Sequence, residues 1–196
     1  MTLPKKSFMP ILENEEARVR SLESYRVMDT LPGKELDDIV QLASQICETP
    51  MALVSLVDSD RQWFKARQGV DASETPRDVA FCAHTIAGTS PLVVEDALLD
   101  ERFQDNPLVV SGLMLRFYAG SPLTTSDGYN LGSLCVVDKK PRKLSASQIS
   151  ALEALARQVI SNFERRKLVR SPGTGAISES SAWCPAGFGQ LHRYKL

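Results

Sequence analysis

The sequence predicts an α+β domain in which a mainly antiparallel sheet carries the terminal helices on one face. Three observations lead there. Arg116–Asp138 holds two apolar runs joined by a polar link containing Asp127-Gly128, the composition of a hairpin with a loop longer than two residues. Neither face of its second arm is polar enough to meet bulk water, so that hairpin belongs at the centre of a covered sheet. Met51–Val57 and Arg61–Arg67 form a second hairpin across Asp58-Ser59-Asp60, and helical patterns flank both hairpins.

In chain order, residues 1–12 read as a flexible leader containing Pro4 and Pro10, and residues 13–168 as one domain. Glu13–Tyr25 is a charged helix with Ala17, Val19, Leu22 and Tyr25 as its apolar stripe. Lys34–Cys47 repeats Leu36, Ile39, Val40, Ala43, Ile46 and Cys47 at helical spacing. Residues 71–80 read as irregular, Phe81–Ala87 as a short helix and Leu92–Glu95 as a strand. The segment 68–115 is then left to cover the second face of the sheet. After Pro141, Ser145 and Gln148 make a capping box with Leu144 and Ile149 as a hydrophobic staple. The stripe Leu152, Leu155, Ala156, Val159, Ile160 and Phe163 follows. It is wider than one sheet face requires, which suits either a second copy of the chain or a monomer whose two terminal helices cover each other and the sheet. Residues 171–196 are rich in Gly, Ser and Pro, lack periodicity, and read as a disordered tail.

The chain has 196 residues, with 23 basic and 24 acidic side chains. That balance gives no reason to expect a nucleic-acid groove. No apolar span reaches the roughly 18 residues of a membrane helix, and Phe8–Leu12 is too short for a signal peptide. Cys47, Cys82, Cys135 and Cys184 are widely spaced without a CxxC, which points to reduced thiols and a cytoplasmic protein.

The pieces FCAHTI (81–86), VVEDALLDERFQDNPLV (93–109), RFYAGSPL (116–123) and LGSLCVVDKKPRKLSASQISALEALARQV (131–159) resemble the GAF domain. More narrowly, they resemble the bacterial sensory branch found in front of histidine kinases and diguanylate cyclases. The resemblance runs from about Leu22 to Lys167. It implies a five- or six-stranded antiparallel sheet, with a ligand cavity or its collapsed remnant on the face away from the helices. It also implies a homodimer through the terminal helices, residues 13–25 and 149–168, that signals to a separate output protein. The Asn-Lys-Phe-Asp-Glu pattern of the cyclic-nucleotide-binding branch is absent, and Val94-Glu95-Asp96 differs from the Asp-Ile-Pro segment of the bilin-binding branch.

The residues singled out as ligand-binding are Trp63, Phe64, Phe81, Cys82, His84, Arg116 and Tyr118. Trp63 and Phe64 are neighbours on a strand, so one belongs to the core and the other to the cavity or the N-terminal helix. Cys82 and His84, two apart on a short helix, point in different directions and make no metal pair by themselves. Arg116 on a buried strand needs an anion, either a ligand or one of Asp78, Glu95, Asp96 and Asp138. No nucleophile–base–orienter set is present, no metal site is expected, and the cofactor stays open.

Three functions compete. The first is a non-catalytic small-molecule-sensing or regulatory module, with a cavity lined from 63–67, 81–87, 92–99 and 116–122. The second is a protein-interaction domain with a degenerate cavity. The third, implied by one branch of the resembled family, is a thiol-dependent free methionine sulfoxide reductase. Against the third, the chain lacks a Gly-Val-Cys-Gly sequence and has no cysteine in 93–115.

Overall fold

The computed structural model describes residues 10, 12–31 and 33–170. Most of the leader and the whole 171–196 tail therefore lie outside the described residues. Six strands form one antiparallel sheet in the order β3-β2-β1-β6-β5-β4. In chain order the elements are α1 (Glu15–Tyr25), α2 (Lys34–Cys47), β1 (Met51–Val57), β2 (Arg61–Gln68), β3 (Glu74–Pro76) and α3 (Phe81–Thr85). Then follow β4 (Leu92–Val94), α4 (Pro107–Val110), β5 (Phe117–Thr124), β6 (Asn130–Asp138) and α5 (Ala146–Arg170). β3 and the 3₁₀ turn Arg77–Val79 correct the irregular reading of 71–80, since β3 exists only through its pairing with β2. No helix among the described residues is long and apolar enough to cross a membrane.

Both faces of the sheet are covered, and alternation along β1 and β6 divides the core into two layers. The outer layer packs Leu22, Leu36, Val40, Ala43, Val159 and Phe163 from α1, α2 and α5 on Val54, Leu56, Phe117, Ala119, Leu134 and Val136. The inner layer sets Phe81, Cys82, Ile86, Phe103 and Val109 against Leu53, Val57, Phe64, Tyr118, Cys135 and Val137. Two register shifts break strict alternation. One, between Val54 and Ser55, leaves Lys65 as an extra residue of β2. Its ammonium donates to Thr30 Oγ1 at 2.6 Å and to the Leu31 carbonyl at 2.6 Å. The other, between Pro122 and Thr124, carries Leu131 into the helix layer, although simple alternation puts it on the face of Ser133 and Cys135.

The capping box of α5 forms as expected. Ser145 N donates to Gln148 Oε1 at 2.9 Å and Gln148 N to Ser145 Oγ at 3.3 Å. The wide stripe of α5 is used within the chain, because Leu152, Ala156, Val159, Ile160 and Phe163 are all buried in the helix layer. Surplus width on α5 therefore supplies no argument for a second copy.

α1 is fastened to the sheet by ions. Arg18 is 1% exposed and donates to the Val57 carbonyl at 2.7 Å, while it grips Glu15 at 2.6 and 2.9 Å. Arg77 adds a bond to Glu15 at 2.5 Å and one to the Asp58 carbonyl at 2.8 Å. Partial burial pushes the Glu15 carboxyl up, but the hydrogen bonds and charges of Arg18 and Arg77 outweigh it and hold the pKa at about 2. Because the unfolded chain binds that proton first, at about 4.5, the stabilisation is full above that pH and is lost as pH falls towards 2. Glu15→Gln is therefore expected to cost about 2 kcal/mol at pH 7 and progressively less below pH ~4. Urea unfolding of both proteins between pH 7 and 2.5 checks this, and parallel stability curves would contradict it.

Candidate functional site

The inner layer brings four of the seven singled-out residues together: Phe64, Phe81, Cys82 and Tyr118. β5 turns Tyr118 to the inner face, and Gly120 lets its ring lie flat along the strand. A Cβ at 120 would stand 2.2 Å from the Tyr118 oxygen. The phenol then reaches Thr85 Oγ1 at 2.6 Å, Ser133 Oγ at 3.3 Å and Cys82 Sγ at 3.4 Å. Phe81 stacks on Phe103 with centroids 3.9 Å apart and tilts against Tyr118 at 5.3 Å.

Sequence reasoning places Thr85 only within the lining segment 81–87 without singling it out, and misses Phe103, Ser133 and Cys135 as members of this group. Alternation already placed Ser133 and Cys135 on one face of β6, and only the docking of α3 decides what meets them. Cys135 Sγ lies 3.8 Å from Cys82 Sγ. The sulfur beside Cys82 thus comes from the central strand and not from 93–115.

The remaining three residues stand apart. Trp63 packs with the helix layer, with the Lys65 ammonium 5.6 Å from its ring centre, so of the neighbouring aromatics it is Phe64 that faces inward. His84 is half-buried at the edge of α3, its ring against Phe103 at 4.7 Å. Burial and then the Arg102 charge push the His84 imidazole below its ordinary value, with Asp100 opposing them. Arg116 precedes β5 and forms a two-pronged pair with Asp96 at 2.7 and 2.5 Å, so its anion is a side chain of the same chain.

The electrostatics of the inner cluster follow from its burial. Burial and the neighbouring thiols push the Tyr118 phenol well above its usual range, so it is a neutral donor. Burial also disfavours a Cys82 thiolate, yet hydrogen bonding with Cys135 and from Tyr118, with the Ser133 and Ser55 hydroxyls close by, outweighs it and lowers this thiol, whereas contact with Cys82 and burial push Cys135 well up. Ser55 Oγ lies beside Cys82 closely enough to act on it, but it is outside hydrogen-bond geometry with any described residue. No group of three or more His, Cys, Asp or Glu able to hold a metal occurs among the described residues.

The space where a cavity was expected is taken up by these side chains. Phe81, Cys82, Phe103, Tyr118 and Cys135 are each only 1–3% exposed, so they touch one another and not open space. An open groove of about 600 Å³ lies nearby at the β4 edge, with Val93, Asp96, Leu99, Pro141 and Arg142 in its lining. Its ions are already paired, Asp96 with Arg116, Asp100 with Arg102, and Arg142 with Asp138.

The GAF domain family matches residues 32–162. The chain belongs to that family. Over 155 residues, or 79% of its length, it is 41% identical to a cyclic di-GMP phosphodiesterase of Pseudomonas aeruginosa, of which it spans only 26%. Among solved structures, it resembles the GAF domain of an Acinetobacter phosphoenolpyruvate-protein phosphotransferase at TM-score 0.57 and 16% identity, covering 81% of this chain and 98% of that one. It is similar also to the free methionine-R-sulfoxide reductase of Neisseria meningitidis at TM-score 0.57 and 18% identity, covering 83% and 97%. At such identities the likeness is one of fold.

Removing the phenol oxygen leaves Thr85 and Ser133, both buried, with a lost partner. Tyr118→Phe is expected to cost about 1–2 kcal/mol in urea unfolding. An unchanged midpoint would show that the cluster contributes nothing to the fold.

Proposed function

We propose that this GAF domain is a non-catalytic regulatory module that senses a small molecule at the inner face of its sheet and acts on an output unit. The observation that carries the reading is the hydroxyl and thiol cluster of Tyr118, Thr85, Ser133, Ser55 and Cys82 inside an apolar layer. A core needs no such groups, because internal hydrogen bonds largely regain what desolvation costs. Phe64, Phe81, Cys82 and Tyr118 line the proposed site. α3 and the segment around Phe103 cover it and move aside for the ligand, with His84 at the edge of that cover. Similarity to about a quarter of a protein named a cyclic di-GMP phosphodiesterase supports a part within a larger signalling protein. Free buried thiols at Cys47, Cys82 and Cys135 support a cytoplasmic location. A homodimer through the terminal helices belongs to the same reading and would use outward residues such as Leu168 and Val169, since the inner stripe is buried.

The closeness of the Phe81, Phe103 and Tyr118 packing favours a second reading, a protein-interaction domain whose cavity stays closed. Native mass spectrometry of the freshly purified chain separates the two. The sensing reading expects a non-covalent adduct of metabolite size, about a few hundred daltons, on a dimeric species, with no hydrolysis of cyclic di-GMP by the chain alone. A bare mass, with no thermal shift across a metabolite panel, would leave the interaction domain. Hydrolysis would end the non-catalytic reading.

A further inference from the structure

Two thiols face each other behind the sheet. Cys82 on α3 and Cys135 on β6 are both 2% exposed, with sulfurs 3.8 Å apart, and they are separated by 53 positions in sequence. We propose that Cys82 and Cys135 form an oxidation site at which hydrogen peroxide converts the dithiol to a disulfide, tying the covering helix α3 to the central strand. The two sulfurs are already in contact. Closing to the roughly 2.05 Å of a disulfide takes a shift of less than about 2 Å, within reach of side-chain rotation and a small movement of a five-residue helix.

The surroundings suit the first step. Tyr118 donates to Cys82 Sγ at 3.4 Å, and the Ser133 hydroxyl is bonded to the same phenol, so charge developing on that sulfur meets oriented donors. Cys47 is the contrasting case: it sits in the other layer, and burial pushes its thiol up to about 11.

The chemistry balances as follows. The Cys82 thiol gives up its proton, and the sulfur attacks one peroxide oxygen. The O–O bond breaks, the sulfur becomes a sulfenic acid, and the departing oxygen leaves as water. Cys135 loses its proton and attacks the Cys82 sulfur, the S–O bond breaks, and a second water leaves. Two thiols are oxidised by two electrons, and one hydrogen peroxide is reduced to two waters. Both sulfurs are buried, so peroxide reaches Cys82 when α3 and the Phe103 segment open, and the site needs that opening but no ligand on the inner face.

The test uses the full chain treated with hydrogen peroxide, denatured in N-ethylmaleimide, digested without reduction and mapped by mass spectrometry. The expected first product is a peptide joining Cys82 to Cys135 within one chain, forming at least about tenfold faster than any oxidation of the more protonated Cys47. Cys135→Ser should abolish the link and let Cys82 accumulate as a sulfenic acid that dimedone traps. The mapping of the unmodified chain decides the matter even if that variant misfolds. Cys82 and Cys135 both labelled by the maleimide, or Cys82 linked to Cys184 or to another chain, would overturn the proposal.

Discussion

The structure depends on how closely β6 lies against β1. At Gly132 there is no room for a side chain, since a Cβ there would stand 1.9 Å from the Ser55 carbonyl oxygen and 2.8 Å from the Leu56 Cα. That approach holds Leu56 opposite Gly132 and Ser55 opposite Ser133, and so fixes the register of the two central strands. With the register fixed, alternation does the rest. Val54, Leu56, Leu134 and Val136 meet the helices, while Leu53, Val57, Cys135 and Val137 meet the covering layer.

The two faces are built from different chemistry. Among the buried side chains named for the helix face, aliphatic residues predominate, and the ions that fasten α1 lie at its margin. The inner face carries hydroxyls, thiols and a phenol, joined through Tyr118 OH as a shared node. Its cover consists of short elements, α3 of five residues and α4 of four, linked by turns. Short elements hold fewer internal hydrogen bonds and contacts than long ones, so local opening is expected to cost less on the inner face than on the helix face.

Much of the fold was legible in the sequence. α2 and β1 have the bounds that helical spacing and an unbroken apolar run indicate, and the capping box marks the start of α5. β3 was not legible, because three residues ending in Pro76 carry no period of their own and become a strand only by pairing with β2. Alternation failed at Lys65 and Leu131 because bulges reset its phase, and bulges follow from pairing geometry. The site was legible in part. An Arg needing an anion was evident at 116, but four carboxylates were eligible, and only the path of 95–116 selects Asp96. The neighbourhood of Cys82 and Cys135 was beyond reach, since it joins positions 53 apart through the docking of a helix whose place no local pattern states.

A regulatory site at the inner face requires that its cover open independently of the sheet it protects. Native-state hydrogen exchange followed by mass spectrometry reads this directly. Amides of 81–110 are expected to exchange through local openings and to lose protection well before those of β1, β6 and α5, with little dependence on denaturant. Equal protection across the cover and the central strands, falling together as denaturant rises, would mean that the inner layer opens only when the whole domain unfolds. A regulatory site behind it would then be untenable.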